Sequence, residues 1–344
     1  MLTEQAYAFG APQACALIRQ QPEDFYVQEE LGFDADGEGE HQLVLLEKRQ
    51  ANTSWVADQL ANFAGIAKRD VGFAGLKDRN AVTRQWFSLG MAGQPQPDWP
   101  ALQLEGVTIL ETAKHRRKLR RGSLKGNHFV ITLRELDVDP STLVPRLTQI
   151  KQQGVPNYFG EQRFGRHGSN LQRALAMFQG KRIRDRNQRS MFLSAARSAL
   201  FNALLSRRVE MGNWNQAVQG DAMMLAGSNS FFLASEVDAA LQQRVAAFDV
   251  HPSGCLWGRG ELASRDQAAQ WETEVAATHG EFCRGLEQNG LQQARRALRL
   301  LPEQMDWETN EAEKSFTLRF FLPAGAYATS VLRELVRYTD ASKG

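Results

Sequence analysis

The sequence predicts an α+β protein in which a sheet-containing part is interrupted by an inserted helical domain. Three observations carry this. Short strand-like segments separated by glycine turns fill the first part of the chain, without the regular strand–helix alternation of a parallel βαβ fold. Near Gly154, Val155 and Pro156 the pattern turns helical and stays so to about Pro302. The end then returns to a strand and a helix, so the tail would complete the first domain.

In order, residues 24–33 form a strand with Phe25, Val27 and Glu29 on one side, an imperfect alternation, and the apolar run 42–46 is its expected partner. Residues 52–66 read as a helix. Asn52 or Thr53 can cap it, and Val56, Leu60, Phe63 and Ala64 recur at helical spacing. Further strands are expected at 71–74, 83–89, 107–113 and 127–136, the last with Phe129, Ile131 and Leu133 on one face. Helical patterns cover 170–178, 189–208, 237–248, 266–287 and 291–300. Residues 316–322 alternate as a strand, and a last helix follows Gly325 with Ala328, Val331, Leu332 and Leu335 on one side.

The 344 residues are 42% hydrophobic and 23% charged, with a formal charge of +2, a globular profile with ample core. With so small a net charge, attraction to a polyanion has to come from local patches. The N-terminus lacks the basic start and apolar run of a secretory signal. No stretch approaches the roughly 18 apolar residues of a membrane span. Cytoplasmic residence and no membrane partner are therefore expected. Cys15, Cys255 and Cys283 are far apart and odd in number, which argues for free thiols.

Two kinds of feature can carry chemistry. Residues 72–80 read GFAGLKDRN, with Gly75 able to supply a tight turn that presents Asp78 between Lys77 and Arg79. Both cations favour the ionised carboxylate, which in a cleft is a nucleophile or a general base. The alternative is a surface turn with a weak salt bridge. Basic residues cluster as KHRRKLRR (Lys114, Arg116, Arg117, Lys118, Arg120, Arg121) and KRIRDRNQR (Lys181, Arg182, Arg184, Arg186, Arg189). Both are almost free of acidic residues, which favours a phosphate backbone over a merely solvated face. Aromatics beside polar residues at 157–165, at Tyr327 and at Phe25 can stack on unpaired bases or pack as core. For Phe129, core packing is the simpler reading.

Absences narrow the classes. Gly37 and Gly39 are surrounded by acidic residues, which repel phosphate. There is no Walker loop, no HExxH and no zinc-deaminase pattern. No cofactor or metal is expected.

Six stretches, PEDFYVQE (from Pro22), NTSWVADQLA (from Asn52), FAGLKDRNAVTRQ (from Phe73), LKGNHFVITLRE (from Leu124), VPNYFGEQRFG (from Val155) and LPAGAYATSVLREL (from Leu322), resemble, in order, the TruD family of tRNA pseudouridine synthases. The resemblance implies a pseudouridine-synthase catalytic domain with a mixed, largely antiparallel sheet flanked by helices, at 1–152 and 304–344. An inserted helix-rich family-specific domain would occupy 153–303, with RNA held in a cleft between the two. It makes Asp78 the catalytic residue, places Phe25, Asn127 and Tyr327 around the uridine, and lets Phe129 stack on the base. Arg19 (Lys in some relatives), Lys77 and Arg333 become supporting charges. The implied reaction is uridine to pseudouridine, at position 13 of tRNA, by a monomer without cofactor. A non-catalytic RNA-binding protein or RNA chaperone on the same fold is the principal rival. A methyltransferase would need a glycine-rich S-adenosylmethionine loop, and none is evident.

Overall fold

Alternation of apolar side chains along short segments builds the first of two compact units. A computed structural model describes residues 4–343. Residues 13–145, 302–325 and those from 335 onward form one unit; residues up to 12, 146–301 and 326–334 form the other.

In the first unit the strands are β1 (Cys15–Ile18), β2 (Phe25–Glu30), β3 (His41–Arg49), β4 (Val71–Phe73), β5 (Val82–Gly90), β6 (Val107–His115) and β7 (Gly126–Leu133). Helix α1 (Thr53–Phe63) lies between β3 and β4. Strands Glu303–Asn310 and Ser315–Pro323 extend an eight-stranded sheet whose order is 303–310, 315–323, β7, β2, β5, β3, β6, with β4 also paired to β5. Only β2 and β5 run parallel within it. The sheet is thus mixed and largely antiparallel. Strand β1 pairs instead with Arg337–Asp340, in parallel.

Register decides which side chains share a face. Val27 stands opposite Phe129 and, on its other side, opposite Thr83; Thr83 stands opposite Lys48. Side chains two apart along a strand share a face. One face therefore carries Phe25, Val27 and Glu29 of β2, Asn127 and Phe129 of β7, Thr83 and Gln85 of β5, and Leu46 and Lys48 of β3. Helix α1 covers part of this face through Val56, Ala57, Leu60 and Ala61, packed with Val44, Leu46, Phe87 and Leu89. Burying a side chain of that size fully is worth about 1.5–3 kcal/mol.

The second unit is built on the 25-residue helix Arg186–Glu210, capped by the Asp185 carboxylate, which accepts from the amides of Asn187 and Gln188. Phe192, Ala195, Ala196, Phe201 and Leu205 of this helix pack into a core with Tyr158, Phe164, Leu171 and Phe282. The segment expected as one helix at 266–287 is two, Asp266–Thr278 and Gly280–Gln288.

The expected helix at 291–300 is replaced by strands Ala294–Ala297 and Arg299–Leu300. The reason lies in two arginines that point to opposite sides. Arg295 pairs with buried Glu272 at 2.7 Å. The Arg296 guanidinium lies 4.1 Å from the centre of the Phe159 ring. Strand Ala294–Ala297 pairs with Val250–Leu256 in a four-stranded sheet that the reading of this stretch as helical left out.

The units differ from the expected domains in placing residues up to 12 and 326–334 with the middle of the chain. Hydrogen bonds account for this. Ala6 donates to the Ser206 hydroxyl (2.8 Å), Ala8 donates to the Glu334 carboxylate (3.0 Å), and Tyr158 donates its hydroxyl hydrogen to the Ala6 carbonyl (3.1 Å).

Candidate active site

Residues between β4 and β5 cross the buried polar end of the shared face, and polar side chains of that face fix them. Ala74 accepts from the Gly122 amide at 2.8 Å. The Gly75 carbonyl accepts from Gln85. The Lys77 amide donates to the Thr53 hydroxyl at 3.0 Å. The Asp78 carbonyl accepts from the Lys48 ammonium at 2.9 Å, and the Asn80 amide donates back to Asp78 Oδ1 at 3.0 Å. Each such bond contributes about 0.5–1.5 kcal/mol net. Together they hold Asp78 in one place. The left-handed backbone expected of Gly75 is absent, and a Cβ there would meet open space. The turn is set by these side-chain anchors rather than by glycine's freedom.

Lys48 is fully buried and also donates to the Ala51 carbonyl at 2.8 Å. Burial pushes its ammonium down to about 8, against the pull of the Asp78 charge.

The Asp78 carboxylate meets Arg19, whose Nη2 lies 3.0 Å from Oδ2. Arg19 follows β1 with a left-handed φ of 56°, a conformation that costs a non-glycine residue about 1–2 kcal/mol. Its guanidinium is buried, bridges Asp78 and Asp340 (2.8 Å), and stacks 3.9 Å from the centre of the Phe25 ring. Phe25 in turn meets Phe129 edge-on at 6.2 Å, and Phe129 stacks on Phe320 at 5.4 Å. Phe25 and Phe129 are thus an aromatic floor with little ring surface exposed.

Lys77 turns away from its neighbour's carboxylate. Its ammonium sits 2.9 Å from the buried Glu29 and 2.6 Å from Asn127 Oδ1. The structure so brings together Asp78, Arg19, Phe25, Phe129, Lys77 and Asn127. Tyr327 and Arg333 belong to the other unit. There Arg163 donates to the Tyr327 hydroxyl at 3.1 Å, and Phe159 meets the Tyr327 ring edge-on at 6.0 Å. Arg333, expected as a supporting charge, donates to the Gln5 and Ala6 carbonyls and pairs with Glu334. That ties the N-terminal segment to its own unit.

Glu29, Lys48 and Asp340 also belong to the cluster around Asp78, though the reading of the sequence does not single them out. For the first two a signal existed. Glu29 occupies the same side of β2 as Phe25 and Val27, and Lys48 the same side of β3 as Val44 and Leu46. A charge at a core position needs a buried partner.

The basic clusters lie in different units. In the first, Lys114, Arg117, Arg120 and Arg121 are exposed, whereas Arg116 pairs with Glu38 and Lys118 donates to the Arg69 carbonyl. In the second, Lys181, Arg182, Arg184 and Arg189 line a pocket of about 460 Å³ together with Met177, Ile183 and Asn289, and Arg186 is exposed beside them. Among the described residues, no group of three or more His, Cys, Asp or Glu side chains is placed to hold a metal, and no helix is long and apolar enough to cross a membrane.

The same fold occurs in a solved structure described as the putative tRNA pseudouridine synthase D (TruD) from Methanosarcina mazei. Its TM-score is 0.73 at 21% identity, covering 98% of this chain and 97% of that one. The two chains therefore share one fold along nearly their whole lengths. The family model for tRNA pseudouridine synthase D (TruD) matches residues 1–181 and 166–335. The tRNA pseudouridine synthase D of Nitrosococcus oceani is 51% identical over 98% of this chain and 96% of its own length. That of Aeromonas salmonicida is 49% identical over 100% and 97%. The chain belongs to the TruD family of tRNA pseudouridine synthases.

Proposed function

We propose that this chain isomerises a uridine of tRNA, the one at position 13, to pseudouridine, with Asp78 as its catalytic carboxylate and no cofactor. The observation that carries the proposal is the Asp78 carboxylate itself, held on an anchored turn and paired to the buried Arg19 at 3.0 Å. Such a carboxylate is held pointed in one direction, as a nucleophile or base requires.

The reaction breaks the bond from ribose C1′ to N1 and makes one from C1′ to C5. C5 loses a proton and N1 gains one, so no atoms are gained or lost and neither redox partner nor phosphate donor is called for. Asp78 either adds to C1′ or removes the C2′ proton to give a glycal; both routes use the same carboxylate. The uridine must leave its stack, at a cost of a few kcal/mol. Stacking on aromatic rings returns about 1–3 kcal/mol per base. Phe25, Phe129 and Tyr327 are the proposed rings, and Asn127 the proposed polar contact.

The exposed basic residues of the two clusters are proposed to meet tRNA phosphates. Arg116 and Lys118 contribute least, because they already have partners in the protein. Replacing a cation that meets one phosphate lowers the slope of log affinity against log salt by about 0.7–0.9. The proposed enzyme acts as a monomer in the cytoplasm. In support, its relatives are named as tRNA-modifying enzymes.

The test is chemical or mass-spectrometric mapping of pseudouridine in transcribed tRNAs. They are incubated with protein dialysed against chelator, with nothing added. Pseudouridine at position 13 is expected. None in any tRNA, or product only after adding metal or a nucleotide, overturns the reading.

A further inference from the structure

Asn127 stands directly opposite Glu29 in the β2–β7 ladder, and the Lys77 side chain reaches both from the turn that carries Asp78. A lysine ammonium has only donors. Its 2.6 Å hydrogen bond with Asn127 must therefore run from Nζ to the amide oxygen, which fixes which end of the amide points where. Glu29 makes this lasting. Its carboxylate is buried, accepts from the Trp86 amide at 3.1 Å and holds the Lys77 ammonium at 2.9 Å, so the ammonium cannot leave without stranding a buried charge. The Asn127 side chain is half-buried, and its NH2 group has no partner among the described residues.

We propose that Lys77 and Glu29 are positioning residues that present Asn127 to the substrate as a hydrogen-bond donor only, so that the site reads a carbonyl of the uracil and not its N3–H. This rests on the function proposed above. An asparagine free to rotate would match either edge of many bases. One whose oxygen is already taken matches an acceptor alone, and turns a donor away at that point.

Asn127→Asp separates the two readings, because it keeps the acceptor and the shape but removes both donors. It also strengthens the bond with Lys77, so the melting temperature should hold. With tRNA tritiated at uracil C5, Asn127→Asp should release tritium on the order of 100-fold more slowly, with tRNA affinity near wild type. A rate near wild type would mean that Asn127 accepts from N3–H, and the inference falls.

A second measurement does not need that variant to fold. Lys77→Met with Glu29→Gln removes both buried charges together. It should slow release about tenfold in the Asn127 background and not at all in an Asn127→Ala background, since these residues act through Asn127. Equal slowing in both backgrounds overturns the positioning role. Wild-type protein that makes no pseudouridine would remove the proposed function and this inference with it. An active wild type beside an active Asn127→Asp removes only the inference.

Discussion

Arg19 gains from its left-handed backbone a place that no ordinary strand continuation provides, between Asp78 and Asp340 and flat on Phe25. A planar fork can bridge two carboxylates and stack at once; an ammonium keeps the charge but not both geometries. Arg19→Lys is accordingly expected to keep single-turnover tritium release within about tenfold of wild type. Arg19→Met should lower it more than about 100-fold while tRNA still binds, because an Asp78 without its guanidinium partner is no longer fixed in place beside the reacting ribose. Full activity in Arg19→Met would show that Asp78 works without a cation. At this scale, Asp78, Phe25, Phe129 and Asn127 lie in the stretches that carry the family resemblance, and Arg19 lies outside them. Their side-chain partners were not legible. Lys77 is next to Asp78 in sequence, yet its partner Glu29 is reached only through strand pairing. Charge attraction between adjacent residues was the wrong guide because buried Glu29 has the stronger need for a counter-charge.

Among the elements, alternating strands were the most legible. The run of Phe25, Val27 and Glu29 marks β2, whose burial alternates as that pattern requires. Residues 291–300 were not legible, because a stretch rich in Ala, Gln, Leu and Arg has helical propensity and only pairing makes it strand, Ala294–Ala297 with Val250–Leu256 and Arg299–Leu300 with Val155–Pro156. That pairing region has a consequence for acid stability. On Val250–Leu256, His251 accepts from Arg299 Nε at 3.0 Å through Nδ1, so the imidazole is neutral. Burial first, and then the Arg299 charge, lower its pKa from 6.5 to about 4. Between these values the unfolded chain binds the proton and the folded chain does not. The stability this gives is complete above pH 6.5 and is lost as pH falls towards 4. His251→Gln retains an acceptor for Arg299 but does not titrate. Its melting temperature should fall less than that of wild type between pH 6.5 and 4. Parallel melting curves across that range would assign the acid sensitivity to other groups.

The whole molecule carries a net charge of only +2, with two dense clusters of exposed cations, one on each unit. Its binding of RNA is thus expected to depend on patches, and its chemistry on one carboxylate outside them. This separates the enzyme from its rival, an RNA-binding protein or chaperone on the same fold. The division into an interrupted sheet unit and a helical middle was legible from the change of pattern near Gly154 and the return to strand near Phe316. The assignment of residues up to 12 and 326–334 was not, since it depends on bonds from Ala6 and Ala8 to side chains far along the chain. Asp78→Asn keeps the size of the side chain and removes its charge. Measured on the same protein, tRNA binding and tritium release from uracil C5 then report affinity and chemistry separately. Near-normal binding and essentially no release are expected. Release at close to the wild-type rate would contradict Asp78 as the catalytic carboxylate, and a wild type that binds tRNA tightly yet releases no tritium from any tRNA would favour the chaperone.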